Sequence, residues 1–106
     1  MPKAQRSPLL LRLMARLGEL EFEEGWIPPE KGEHGHIYGL WLAEGKILIN
    51  PIPHVVDTIL HELCHELKPN MSELGIRSLT GRLFKQLSDQ ELQTVYWEYR
   101  RKVDGD

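Results

Sequence analysis

Residues 53–73 read PHVVDTILHELCHELKPNMSE, and the periodicity of this stretch organises the rest of the chain. Val56, Leu60, Leu63 and Leu67 recur at spacings of four, three and four, the pattern of an amphipathic helix. Pro53 suits the first turn, where a missing N–H breaks no bond, and Asp57 near the start complements the helix dipole. Lys68-Pro69-Asn70 closes the helix, because lysine suits the negative C-terminal end and proline bars continuation. Ser72 reads as the N-cap of a following helix that carries Ile76, Leu79, Leu83 and Leu87. Inside the first of these two helices stands His61-Glu62-Leu63-Cys64-His65, an H-E-x-x-H sequence.

Upstream, the period changes. Ile37 to Leu42 and Ile47 to Ile49 are short apolar runs around Ala43-Glu44-Gly45-Lys46, which predicts a hairpin. The second strand must end at Asn50-Pro51, since proline offers no backbone donor. Leu20 and Phe22, with Trp26 beyond, alternate with glutamates as in a short first strand, and Pro28-Pro29 stops it before a polar loop from Glu30 to Gly35. Near the N-terminus Ser7 reads as an N-cap with Pro8 in the first turn. Leu10, Leu13, Met14 and Leu17 then form one apolar stripe of a helix over residues 8–19, which is expected to pack into the core. At the other end Ser88-Asp89-Gln90-Glu91 fits a capping box, with Leu92, Val95 and Tyr99 as the buried stripe behind it. The expected fold is α+β, one domain over residues 1–106, in the order α-β-β-β-α-α-α. Its small three-stranded, mostly antiparallel sheet would pack against the H-E-x-x-H helix and the further helices.

Composition narrows the class. At 106 residues a single domain is expected, burying roughly two-thirds of its unfolded surface. Hydrophobic residues at 41% and charged residues at 27% describe a globular chain rather than a disordered one. A net charge of −3 gives no reason to expect nucleic acid or an acidic membrane as the partner. One cysteine excludes an internal disulfide, and the run Leu9 to Leu11 is too short to span a bilayer. A cytoplasmic protein is expected, monomeric or weakly oligomeric.

The chemistry lies in the H-E-x-x-H sequence. Histidines four apart stand one turn above each other on a single helix face, so their ring nitrogens can converge on one metal ion. Glu62 is offset by about 100°, near enough to take a proton from water acidified by the ion without ligating it. Chance produces this pentapeptide in about three in a hundred chains of this composition, so its place in mid-helix matters. The alternative is a pair of solvated histidines beside Glu62 and Glu66. A catalytic zinc takes three protein ligands and keeps one open position. The candidates for the third are Glu73, His54, Glu91 and Glu98. Glu73 is the strongest: seven residues separate it from His65, and the proline break lets the chain turn back. Two imidazoles and a carboxylate favour zinc among divalent ions. The metzincin extension is absent, since Lys68 and Met71 stand where glycine and histidine would be needed. Cys64 is expected to pack as a small apolar group. The donor for a developing oxyanion stays open among Arg77, Tyr38, His36, His34, Tyr96 and Tyr99.

On these residues the chain resembles a minimal zincin metallopeptidase. Within that group it is similar to the gluzincins, which add a glutamate from a following helix to H-E-x-x-H, and above all to the short stand-alone minigluzincins. It also resembles small phage-borne proteins with the layout HELCHELKPNMSE seen at residues 61–73. The likeness covers the order of elements from residue 37 to about 87, and the motif from 61 to 73. It implies Zn2+ bound by His61, His65 and Glu73, with Glu62 as general base and acid. It further implies hydrolysis of a peptide or protein substrate laid against a strand of the hairpin region. Two departures bear on activity: the gap before the third ligand is shorter than in typical gluzincins, and the domain that forms the far wall of their cleft is missing. Slow turnover, action on a single partner, or a zinc-stabilised binding or regulatory module without turnover is the corresponding expectation.

Overall fold

Three serines begin three of the helices. Ser7 Oγ accepts from the N–H of Leu10, Ser72 Oγ from that of Gly75 and Ser88 Oγ from that of Glu91, each at 3.1 Å. Glu91 reciprocates by accepting from the Ser88 N–H at 2.9 Å, so the capping box is complete. Those hydrogen bonds from Ser88 hold the Glu91 carboxyl below the ordinary carboxylate range. The computed structural model describes residues 7–29, 35–42 and 45–105. Its elements are α1 (Pro8–Leu17), β1 (Glu21–Glu24), β2 (Gly39–Leu42), β3 (Lys46–Ile49), α2 (Ile52–Leu67), α3 (Glu73–Gln86) and α4 (Asp89–Val103), in the expected order. The hairpin residues Ala43 and Glu44, the loop over 30–34 and the last residue of the tail lie outside the described residues.

The class is α+β, four helices and a three-stranded sheet. The sheet is mixed rather than mostly antiparallel. Its order is β1-β3-β2, with β3 antiparallel to β2 and parallel to β1. The parallel pair arises because the chain passes from β1 to the outer strand of the hairpin first and returns in the middle. The register sets Phe22, Ile47 and Trp41 in a row on one face.

Nor does the sheet press a covered face on the helices as expected, since every residue of β1 and β2 is exposed. It is joined to them through the β3–α2 junction. There Asn50, 1% exposed, donates from Nδ2 to the Ile37 carbonyl at 3.0 Å and accepts at Oδ1 from the Ile52 N–H at 3.3 Å. Its own N–H donates to the Tyr38 carbonyl at 2.9 Å. One side chain thus ties the chain leading into β2 to the first turn of α2, which has no other side-chain cap. Asn50→Ala would strand the Ile37 carbonyl and the Ile52 N–H. We expect a loss of about 1–3 kcal/mol in urea unfolding. A loss within error of zero would show that water replaces both bonds.

The core is the seam of α2 and α4. Ile52, Val56, Leu92 and Tyr96 are buried together, flanked by Trp26, Leu60, Phe84 and Leu87. Cys64 is buried and free, as expected of an apolar group. Tyr96 takes the place expected for Tyr99, because Leu92 and Tyr96 are one turn apart and share a helix face. Burial pushes its hydroxyl pKa up. The leucines of α1 are a clearer departure. The helix is present, but none of its residues is buried. Among the described residues no helix is long and apolar enough to cross a membrane.

Candidate metal centre

α2 presents His61 and His65 on the side away from the core. The two lie roughly 140–180° round the helix from Val56, so they are free to meet a second element. That element is the start of α3. The cap at Lys68, whose N–H donates to Cys64 at 2.8 Å, and the turn closed by Met71 N–H to Lys68 at 3.1 Å fold the chain back across α2. Ser72 then opens α3, so Glu73 emerges as its first residue, where the dipole favours a carboxylate.

The three side chains converge. Glu73 Oε1 lies 2.9 Å from His61 Nε2, and Oε2 lies 3.0 Å from His65 Nε2. The two Nε2 atoms are 3.2 Å apart. At that separation two imidazoles cannot both point lone pairs at each other; a proton or a cation must lie between them. Ligands held about 2.0–2.2 Å from a tetrahedral cation stand about 3.3 Å from one another, close to the observed spacing. The ligand atoms of His61, His65 and Glu73 all fall within 4.8 Å, a group that could hold a metal ion. No family model, curated protein or solved structure matches this chain. The case for the centre therefore rests on this geometry.

The other candidate ligands are elsewhere. His54 stacks on Tyr38, with ring centroids 4.2 Å apart and planes inclined by 20°. Glu91 is engaged in its capping box, and Glu98 is paired with Arg101 and Lys102. Glu62 is exposed on the neighbouring face of α2 and has no hydrogen-bond or ion-pair partner among the described residues. Its carboxylate is therefore uncommitted.

Of the possible oxyanion donors among the described residues, only Arg77 reaches the group, its Nε 3.5 Å from Glu73 Oε1. Its charge holds the carboxylate from the outer side. His36 packs edge-on against Phe84 at 5.6 Å and Trp26 at 6.1 Å, about three turns along α3 from Glu73. Tyr96 is in the core, Tyr38 is occupied by His54, and His34 lies outside the described residues. Tyr99 instead lines an open apolar cavity of 440 Å³ between α2 and α4, with Ile59, Leu63 and Val95. Ile59 and Leu63 stand about 120–160° round α2 from His61 and His65, so this cavity lies on the side of the helix turned toward α4. Two features escaped sequence reasoning, the Asn50 junction and the Tyr38–His54 stack. The first carries a local signal, an asparagine before proline at a strand–helix boundary. The second carries none.

Proposed function

We propose that this chain is a zinc-dependent metallopeptidase of minimal, gluzincin-like design. The observation that carries the reading is the placement of the Glu73 carboxylate against both imidazole Nε2 atoms, at 2.9 and 3.0 Å. His61, His65 and Glu73 would hold the ion and leave a fourth position open. A bound zinc would supply Lewis acidity toward water and a substrate carbonyl. Glu62, unpaired and next to His61, takes the proton from the attacking water and returns it to the departing amine. Arg77, ion-paired with Glu73 at 3.5 Å, adds a positive charge beside its carboxylate. The substrate is a peptide or an extended segment of a protein, and the setting is cytoplasmic.

A second reading, a zinc-stabilised binding module without turnover, draws on a different fact. Among the described residues the buried hydrophobic core holds seven, Ile27, Ile52, Val56, Cys64, Ile76, Leu92 and Tyr96. An ion linking α2 to α3 would stabilise so small a core whether or not it catalysed anything.

Zinc titration with X-ray absorption tests the ligand set. The expected coordination is two imidazoles and one carboxylate, with one ion per chain. Glu73→Ala should weaken zinc affinity by about 10-fold or more. Equal affinity in this variant and the parent would assign the third ligand elsewhere.

A further inference from the structure

α3 carries two glycines, Gly75 in its first turn and Gly81 in its middle. Glycine is a poor helix former, and neither position has the positive φ that would call for one. Their surroundings differ. A Cβ at Gly81 would meet nothing within 4 Å. A Cβ at Gly75 would stand 2.7 Å from Met71 Cγ, 3.2 Å from Met71 Sδ and 3.3 Å from Ser72 Oγ. Carbon atoms in contact sit about 3.5–4.0 Å apart, so the first of these approaches is a clash. The Met71 side chain lies over the bare Cα of Gly75, in the space that a side chain there would fill.

The residues that a Cβ would push, Met71 and Ser72, are the two that precede Glu73. Met71 closes the turn after α2, its N–H donating to the Lys68 carbonyl at 3.1 Å. Ser72 is tied to Gly75 itself, its Oγ accepting from the Gly75 N–H at 3.1 Å. Met71 Cγ is the atom next to Cβ, so bending the thioether end does not clear it. It moves only if the whole side chain leaves its rotamer or the backbone of the turn shifts. A shift of the turn passes directly to Glu73, whose oxygens stand 2.9 and 3.0 Å from the His61 and His65 Nε2 atoms.

We infer that Gly75 is a positioning residue for the metal centre: its missing side chain lets Met71 fold over the first turn of α3, and that packing sets the reach of Glu73 toward the two histidines. The inference rests on the reading of His61, His65 and Glu73 as a metal site. It concerns affinity for the ion and requires no turnover.

Zinc affinity of the full chain, measured by competition with a chromophoric chelator, tests it. Gly75→Ala should keep the helical circular dichroism and bind zinc about 10-fold or more weakly. Gly81→Ala is the same substitution in the same helix where space is open. It should raise Tm through its better helix propensity and leave zinc affinity within about twofold of the parent. Met71→Ala added to Gly75→Ala takes away the obstructing side chain and should return affinity to within about threefold of the parent. Parental affinity in Gly75→Ala would mean that Met71 swings aside without moving Glu73, and overturns the inference. A double variant as weak as Gly75→Ala overturns the route through Met71. Both of those results leave the metal reading standing, whereas a parent chain that binds no zinc removes that reading and the inference with it.

Discussion

Alanine at His61 or His65 is expected to abolish zinc binding outright. Each imidazole contributes a nitrogen that no neighbour replaces. Their Nε2 atoms lie 3.2 Å apart, and the only other donor of the group is Glu73. A carboxylate with one imidazole is a far weaker site than the set of three, because the lost ligand is exchanged for water at no gain in preorganisation. The same change should remove any stabilisation by the ion. Zinc at a hundredfold excess over its dissociation constant contributes about 2.7 kcal/mol, which for a chain of this size raises Tm by roughly 10 °C or more. Melting curves with and without zinc, run beside a competition assay with a chromophoric chelator, check both halves. A zinc-dependent rise in Tm that survives in His61→Ala would place the ion elsewhere in the molecule. No zinc bound to the parent chain after reconstitution would remove both readings of the centre.

Glu62→Gln should separate catalysis from binding. Glutamine keeps the size of the side chain but cannot accept a proton, so hydrolysis of a quenched-fluorescence peptide library should fall at least about 100-fold. Zinc affinity should stay within about twofold, since Glu62 lies outside the three-residue group. This combination distinguishes the peptidase from the binding module. Equal hydrolysis by variant and parent would deny Glu62 its role. An absence of hydrolysis in the parent, with partner binding untouched by the substitution, would favour the module.

The helices were legible because their ends carry local chemistry. Ser7, Ser72 and Ser88 cap the helices they were expected to cap, and the reciprocal Ser88–Glu91 pair forms as read. Capping depends on residues three positions apart, and a sequence displays those directly. The convergence of His61, His65 and Glu73 was legible for a related reason. Two of the three side chains share one helix face, and the third follows a turn too short to carry it far.

Partnering between elements was not legible. The apolar stripe of α1 has the same spacing as a core stripe, yet it stays exposed, because amphipathicity fixes which face seeks cover and not which surface supplies it. The sheet order β1-β3-β2 likewise follows from a long-range pairing of Glu21–Glu24 with Lys46–Ile49 that no neighbouring residue announces. Arg77 pairs with Glu73 from one turn away, but the sequence held six residues with an equal claim to reach the centre. By itself, then, the sequence determined where helices start and stop and which three side chains could share an ion, since these are matters of short separations along the chain. The tertiary structure alone decided which faces are covered, where Asn50 bolts the sheet to α2, and which of the remaining polar groups stand near the centre. Those depend on contacts between distant segments, whose energies are set by shape and burial rather than by spacing.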